Sequence, residues 1–467
     1  MSVFTKAGFV LRLLKQALKG EEQHYTSGSI DKAIFLLSIP MILEMSMESL
    51  FAIVDAFFVS RLGVDALATV SLTESVLTLV YALAIGLSMG ATAMVARRVG
   101  EGNVAEAARS GVQAIYLATG ISVFISVVGL FFAEDILAIM GASQSVIDTG
   151  VGYTRWMLGG NLTVMLIFLI NAIFRGAGDA SLAMRVLVLS NLLNIILDPI
   201  LIFGWGPVPT MGVEGAAIAT TIGRGIGVVY QLVHLLYGKG QIKIHSKNLP
   251  LDVGLIGRLI KVSAGGTGQF IIASASWIFL VRIVSTFGSE ALAGYTIAIR
   301  ILMFAILPAW GMANASATLV GQNLGAGQPE RAERSVWRTG FFNMVFMVFI
   351  TITFLTLARP IVEFFTTDAV ALQNAMQCLQ VVALGYVFYA YGMVVTQSFN
   401  GAGDTRTPTL LNFVAFWMFQ IPLAYALAIV FNLGPMGVYV AIVVAESLLA
   451  VAGILIFRRG KWKTVKI

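Results

Sequence analysis

The chain has 467 residues, of which 58% are hydrophobic and only 12% are charged. Soluble domains carry about 25% charged residues, and a mean hydropathy of +0.88 excludes a soluble fold, because only a bilayer can cover that much apolar length. The net charge of +6 does not indicate a nucleic-acid partner, since the lysines and arginines cluster at the ends of apolar segments. Cys378 is the only cysteine, which excludes a disulfide within the chain and argues against a cysteine-based metal site.

Residues 1–24 are amphipathic and basic rather than a cleavable signal peptide. Lys6, Arg12, Lys15 and Lys19 are spread among apolar residues. A helix on the cytoplasmic surface of the membrane would place its apolar side among the lipids and these charges in water. A disordered tail is the alternative that the sequence leaves open.

Twelve apolar spans follow, separated by polar or glycine-rich breaks. Each is long enough to cross a bilayer, which requires about 20 residues. We therefore predict an all-α polytopic membrane protein with twelve transmembrane helices. The predicted spans are 33–59, 66–96, 110–132, 147–173, 181–203, 212–237, 257–286, 291–319, 334–357, 369–398, 407–430 and 436–457.

Lysine and arginine are distributed unevenly between the two sides of this arrangement. With the N-terminus inside, the cytoplasmic loops contain almost all of them, and the opposite side contains Arg61 and Arg359 alone. Because cytoplasmic loops of membrane proteins are enriched in these residues, both termini are predicted to be cytoplasmic. The expected location is the cytoplasmic (inner) membrane of a prokaryote.

The two halves of the chain are copies of one unit. FRGAGD at 174–179 returns as FNGAGD at 399–404, and LGVDALA at 62–68 returns as FGSEALA at 287–293, both at an offset of 225 positions. Each unit has six spans, so we expect two six-helix lobes facing each other across a cleft, with a pseudo-two-fold axis along the membrane normal. The predicted segments are an amphipathic N-terminal segment (1–30), the N-lobe (31–237), a cytoplasmic linker (238–256), the C-lobe (257–457) and a basic cytoplasmic tail (458–467).

Span one carries three carboxylates, Glu44, Glu48 and Asp55. At about 100° per residue they fall within roughly 40° of one another on a helix, so they share one stripe. A charged stripe in the hydrocarbon region must face protein or a water-filled cavity.

Span five contains the stretch NLLNIILDPILIF, in which Asn191, Asn194 and Asp198 stand among apolar residues. Asn194 and Asp198 are four positions apart and share a helix face. Their counterparts at the repeat offset are Phe419 and Leu423. A polar set that served only the shared architecture should occur in both copies. Its presence in one lobe favours a functional role over the structural alternative, in which these side chains merely satisfy neighbouring helices.

Carboxylate, amide and hydroxyl oxygens are the ligands that a hard cation such as sodium prefers. The same carboxylates can instead accept a proton, and the sequence leaves both interpretations open. Glu74 and Glu446 are lone acids in spans two and twelve, and for these interhelical hydrogen bonding is the favoured expectation.

The repeated loop signatures, together with VGQNLGAGQPERAERS at 320–335, resemble those of the multidrug and toxic compound extrusion (MATE) transporters, in particular the DinF-like branch. The resemblance covers residues 30–457. It implies a bilobed secondary active transporter that exchanges sodium ions or protons for organic, often cationic, compounds by alternating access. No Walker-type phosphate-binding loop is present, so an ion gradient or the substrate's own gradient would drive transport, and neither a cofactor nor an enzymatic activity is expected.

By this resemblance, Asp55, Asn194 and Asp198 hold the coupling proton in the N-lobe or act as the ligands of a sodium ion. Asn171 and Thr220 are expected neighbours of that site. The C-lobe lacks the acids that another large branch of the family carries, so a second ion site is not expected there. The residues assigned to a substrate cavity are Glu44, Glu48, Phe51 and Asn191. The resemblance does not assign a role to Glu48, for which a contact with a cationic substrate and a structural hydrogen bond both stay open.

Two other functions stay open at this point. A lipid or lipid-linked oligosaccharide flippase of the same superfamily would share the bilobed plan, but it would need a cleft lined with arginines for pyrophosphate. A receptor or passive channel would not need a cleft built from a repeat. The expected partners are a small organic substrate and the lipid bilayer, and the chain is expected to act as a monomer.

Overall fold

The computed structural model describes residues 12–20, 25–238 and 240–467, and these residues form helices and turns without a β-strand. Eleven helical segments are long and apolar enough to cross a membrane, and one bent pair of helices completes a set of twelve. The predicted all-α polytopic class is therefore confirmed.

The N-half of the bundle is preceded by a short helix at residues 12–19, which we call α1. Seven further helices make up this half. They are α2 (Ile30–Val59), α3 (Val64–Gly100), α4 (Val104–Ile139), α5 (Gln144–Gly159), α6 (Asn161–Ala177), α7 (Ala180–Phe203) and α8 (Gly212–Tyr237).

The C-half repeats this order. Its helices are α9 (Val253–Ser285), α10 (Ser289–Gly325), α11 (Pro329–Glu363), α12 (Ala369–Leu384), α13 (Tyr386–Ala402), α14 (Arg406–Val430) and α15 (Pro435–Arg458). Within α14, Phe413–Gln420 and Ala426–Val430 are wound as π-helix.

Two of the predicted spans are broken rather than continuous. The fourth span divides at Gly160 between α5 and α6, and the tenth divides at Gly385, where α12 and α13 meet at 60°. The two glycines are separated by the repeat offset. The repeat has therefore kept a helix break that hydropathy alone does not reveal, because both sides of each break are apolar.

The repeated GAGD motif is a helix end followed by a helix start. Gly178 and Gly403 adopt left-handed φ values of +96° and +88°, which end α6 and α13 and suit glycine because it has no Cβ. Asp179 then caps α7 by accepting the backbone N–H of Leu182 at 3.1 Å, and Asp404 accepts an N–H in the same way at the start of α14. The motif therefore sets a tight turn between two membrane helices in each half.

Each half packs around its own apolar core, with Met165 and Ile170 central in the N-half and Leu280 and Tyr439 in the C-half. The halves meet where α3 packs against α9 and α10, and where α2 packs against α10.

Two reciprocal contacts bring the halves together at one end of the bundle. A Cβ on Gly100 would lie 2.0 Å from the carbonyl oxygen of Gln322, and a Cβ on Gly325 would lie 2.1 Å from that of Arg97. Gly100 and Gly325 are separated by the repeat offset, as are Arg97 and Gln322. The pseudo-two-fold relation is thus visible in backbone contacts, and these leave room only for glycine. We call this end the basic face.

The described part of the N-terminal segment lies on the protein at the basic face. Ala17 and Tyr25 are buried. The Tyr25 hydroxyl donates to the carbonyl of Gly178 in the N-half at 3.2 Å. Arg331 of the C-half donates to the carbonyl of Tyr25 at 3.2 Å. The segment therefore bridges both halves instead of lying apart from them; residues 1–11 and 21–24 are outside the described residues.

The C-terminal residues form a second bridge at the same face. Arg97 of the N-half donates to the carbonyls of Ala402 and Val465, each at 3.2 Å. Trp462 is buried and stacks on Phe457 at 4.5 Å between ring centroids. Both terminal segments therefore hold the two halves together where the glycine contacts seal them.

Replacing Gly100 with alanine should destabilise the protein, because the new methyl group would overlap the backbone of α10. Overpacking of this kind costs about 1–3 kcal/mol. Thermal unfolding in detergent should therefore show a lower Tm for Gly100→Ala than for the parent protein.

Gly120→Ala is the matched control, since no atom lies within 4 Å of a Cβ built at that helical position. Alanine is the better helix former by up to about 1 kcal/mol, so this variant should melt at the parent Tm or above it. Equal Tm changes for the two variants would contradict the close approach at the basic face.

Candidate functional site

The polar residues of the fifth span form a hydrogen-bonded cluster inside the N-half. Asn194 and Asp198 lie on one face of α7, and both side chains are buried. The Asn194 amide donates to Asp198 Oδ1 at 3.2 Å and to the hydroxyl of Thr220 on α8 at 3.3 Å. We call Asp55, Asn194, Asp198 and Thr220 the N-half site.

Small residues on α8 allow this cluster to form. A Cβ on Gly223 would lie 3.0 Å from the carbonyl oxygen of Ser190, and a Cβ on Gly227 would lie 2.3 Å from the Ser190 hydroxyl. Because α7 and α8 can approach this closely, the short side chain of Thr220 reaches Asn194.

Two oxygens of the cluster lack a hydrogen-bond donor. Within the ranges that the structure describes, Asn194 Oδ1 and Asp198 Oδ2 are buried and accept no hydrogen bond. A buried acceptor without a donor costs about 1–3 kcal/mol, and more when it is charged. The arrangement therefore favours a species that supplies positive charge to both oxygens, which a bound cation or a proton can do.

Asp55 reaches the same region from α2. It is buried and interacts electrostatically with Glu74 on α3, with Arg224 on α8 and with Asp198 on α7. Asp55, Asn194, Asp198 and Thr220 therefore lie in one region of the N-half. Their role as a coupling site stays a prediction.

Arg224 is a residue of this region that the sequence analysis missed. Its guanidinium is paired with the Glu48 carboxylate at 3.8 Å, bonded to the Tyr81 hydroxyl at 3.3 Å and placed 4.8 Å from the ring centre of Phe51. An arginine in the middle of an apolar span is itself a signal, because a charge in the membrane requires a partner. Glu48 is thus the counter-ion of Arg224, and Phe51 packs against the same cation.

Glu44 and Asn171 belong to a different network, nearer the basic face. Glu44 forms a buried ion pair with Arg175 of α6. It also accepts a hydrogen bond from the Asn171 amide at 3.2 Å, and Gln231 of α8 donates to Asn171 at 2.7 Å. The structure therefore does not bring Asn171 to the N-half site, where it was expected as a neighbour, because its amide is occupied by Glu44 and Gln231.

The predicted substrate-cavity residues are separated in the same way. An inter-half cavity of about 220 Å³ lies between α2, α3, α6, α10 and α13, and Glu48 lines it beside Phe168 and Trp310. Asn191 instead donates to the carbonyl of Met47 at 2.7 Å and ties α7 to α2. Glu44 is bonded to Arg175 as described. Of these residues, only Glu48 is presented to the inter-half cavity.

The lone acid of the last span does not form the interhelical hydrogen bond that was expected. Glu446 Oε2 is buried and has no partner among residues 12–20, 25–238 and 240–467. The same ranges contain no group of three or more His, Cys, Asp and Glu arranged to hold a metal ion.

Comparison with known proteins assigns the architecture. The model of the MatE family matches residues 40–200 and again residues 267–426. The chain belongs to the MatE family. The two matches cover the two halves, so the family unit coincides with the internal repeat, and the resemblance to MATE transporters is confirmed. The more specific DinF-like branch stays a prediction.

Relatives of this MATE chain carry different names. It is 25% identical to the probable multidrug resistance protein NorM of Thermotoga maritima, over 93% of both chains. It is also 24% identical to a FAD transporter of Shewanella oneidensis, over 85% of this chain and 88% of that one. Among solved structures, the outward-facing conformation of a multidrug resistance MATE transporter is 27% identical over 95% of this chain and 99% of that one, with a TM-score of 0.89. These relatives indicate a transporter rather than an enzyme.

The Glu44–Arg175 pair should contribute to stability rather than to ion coupling. Removing one partner of a buried ion pair costs about 3–5 kcal/mol, whereas replacing both with apolar residues of similar size is often neutral. Glu44→Leu should therefore lower the Tm strongly, and the double variant Glu44→Leu/Arg175→Leu should recover most of the loss and retain substrate efflux.

Asp31→Asn is the control, because it breaks the exposed ion pair between Asp31 and Arg338. The Asp31 side chain is 42% exposed and the Arg338 side chain is 48% exposed. Such exposed pairs contribute about 0–1 kcal/mol, so its Tm should change little. A stable double variant that has lost efflux would show that the Glu44–Arg175 pair takes part in transport.

Proposed function

We propose that this protein is a cation-coupled antiporter that exports organic compounds across the cytoplasmic membrane. A proton or a sodium ion binds at Asp55, Asn194, Asp198 and Thr220. The observation that supports this most directly is the pair of buried oxygens on Asn194 and Asp198 that accept no hydrogen bond within the described ranges. A cation there completes the coordination that the protein leaves incomplete.

The charge balance of the N-half supports a cationic ligand. Glu44 is compensated by Arg175, and Glu48 is compensated by Arg224. Neither Asp55 nor Asp198 forms an ion pair with a basic side chain in the part of the chain that the structure describes. Arg224 interacts with both Glu48 and Asp55, so its single positive charge does not balance these carboxylates. Negative charge that basic side chains do not balance is costly in the membrane and attracts a cation.

The conformation is consistent with one state of an alternating-access cycle. Glycine contacts and both terminal segments seal the halves at the basic face. If the basic face is cytoplasmic, as the lysine and arginine distribution predicts, the protein is in an outward-facing state. A cation that enters from outside would then shift the equilibrium between the outward-facing and inward-facing states only if it binds these two states with different affinities.

The two rival functions receive less support. Arg175 and Arg224 are the buried arginines of the described residues, and only Arg175 lines the inter-half cavity. Each is paired with a carboxylate, so they are not free to bind a pyrophosphate group as a flippase would require. A passive channel is disfavoured because the basic face is closed by backbone contacts. We further propose a monomer with both termini in the cytoplasm, lobes at 31–237 and 257–457, a linker at 238–256 and a basic tail at 458–467.

Asp55→Asn and Asp198→Asn should each abolish coupled efflux, because the neutral amide can neither release a proton nor supply a charged ligand to sodium. Efflux of a cationic dye from proteoliposomes, under separately imposed sodium and proton gradients, measures this. Stimulation of the parent protein by one gradient alone identifies the coupling ion.

Asp135→Asn removes a carboxylate from an exposed position on α4 and should leave efflux unchanged. Thermal unfolding should show that all three variants are folded. Normal gradient-driven efflux by both site variants would rule out the proposed coupling site.

A further inference from the structure

A second cavity, of about 380 Å³, lies inside the C-half. Its walls come from α9, α10, α12, α13, α14 and α15, so it is enclosed almost entirely by one half of the protein. This volume falls in the range of cavities that bind drug-sized molecules. We call it the C-half cavity.

Glu446 is the charged residue of this cavity. No lysine, arginine or histidine occurs among the described residues that line it. Oε2 of Glu446 is buried without a hydrogen-bond donor in the same described ranges. A carboxylate inside the membrane with no protein partner is a functional-site candidate, because its cost must be offset by a ligand or a proton.

The rest of the wall is mostly apolar, with aliphatic and aromatic side chains and a few amides and hydroxyls. Aromatic faces attract cations through their negative π-systems, and this attraction strengthens when water is excluded. A cavity with one carboxylate and several aromatic rings therefore matches an apolar molecule that carries a single positive charge. The aromatic residues of the wall are Phe270, Trp277, Trp310, Tyr386, Tyr389 and Phe416.

The C-half cavity adjoins the inter-half cavity, because Met89, Leu307 and Trp310 line both. The C-half cavity therefore lies next to the space between the halves. Glu446 also has no acidic counterpart in the repeat, since the equivalent position in the N-half is Thr221. A residue required only by the shared architecture would be expected in both halves.

We propose that the C-half cavity is a substrate-binding site for amphipathic organic monocations and that Glu446 is its anionic anchor. The inference rests on the proposed export function, whose coupling site lies in the other half. It gives the two halves different tasks: the N-half site holds the coupling ion, and the C-half cavity holds the positive charge of the exported compound.

Binding of tetraphenylphosphonium and of uncharged triphenylphosphine oxide to the purified full-length protein tests this proposal. Calorimetry in detergent requires no ion gradient. Glu446→Gln should weaken tetraphenylphosphonium binding by at least about tenfold, which corresponds to about 1.4 kcal/mol. Binding of the uncharged ligand should change less than about twofold, because it does not use the carboxylate.

Ala273→Trp fills the cavity wall and should abolish binding of both ligands. Glu363→Gln is the charge-matched control, since Glu363 is paired with Arg359 on an exposed part of α11. It should bind both ligands like the parent protein. Thermal unfolding of each variant establishes that it is folded.

The proposal is overturned if the parent protein does not bind tetraphenylphosphonium. It is also overturned if folded Glu446→Gln binds tetraphenylphosphonium with the parent affinity, or if this variant loses affinity equally for the charged and the uncharged ligand. Survival of binding in Ala273→Trp would also overturn it, because the ligand would then lie elsewhere. Failure of the coupling proposal would give a different result from failure of the binding proposal. If only the coupling proposal fails, changes at Asp55 and Asp198 leave gradient-driven efflux unaffected, and tetraphenylphosphonium still binds in the calorimeter.

Discussion

The structure depends on how each polar group within the membrane helices is satisfied. In water, Asp198 and Asn194 would be solvated, but inside the bundle each has one oxygen without a donor among the residues that the structure describes. The free-energy cost of such oxygens is comparable to a substantial part of the stability of a folded domain. A proton or a cation bound at the proposed coupling site would offset this cost.

The internal repeat shows what the architecture needs and what has been added to it. The helix break at Gly160 returns at Gly385, and the capping aspartate Asp179 returns as Asp404, so these features belong to the shared unit. The polar face of α7 does not return. Its counterpart in α14 is apolar and partly π-helical, and Phe416 from that helix lines the C-half cavity. The halves therefore share a scaffold but differ in the chemistry of their interiors.

Much of this could be predicted from the sequence, because the signals are local or periodic. Apolar length gave the spans, the 225-residue offset gave the two halves, and four-residue spacing placed Asn194 and Asp198 on one face. The side-chain partners could not be predicted in this way. Glu44 and Glu48 share a helical stripe, yet one pairs with Arg175 on α6 and the other with Arg224 on α8. Which helix faces a given residue depends on tertiary packing, which a single sequence does not encode in any local pattern.

The central claim is that ion coupling takes place in one half only. It is tested most directly by measuring the binding of radiolabelled sodium, and the release of protons on substrate binding, for the parent protein and for the double variant Asp55→Asn/Asp198→Asn. The account predicts that the parent protein shows one of these two signals and that a folded double variant shows neither. Ion binding or proton release that survives in the folded double variant would contradict the account.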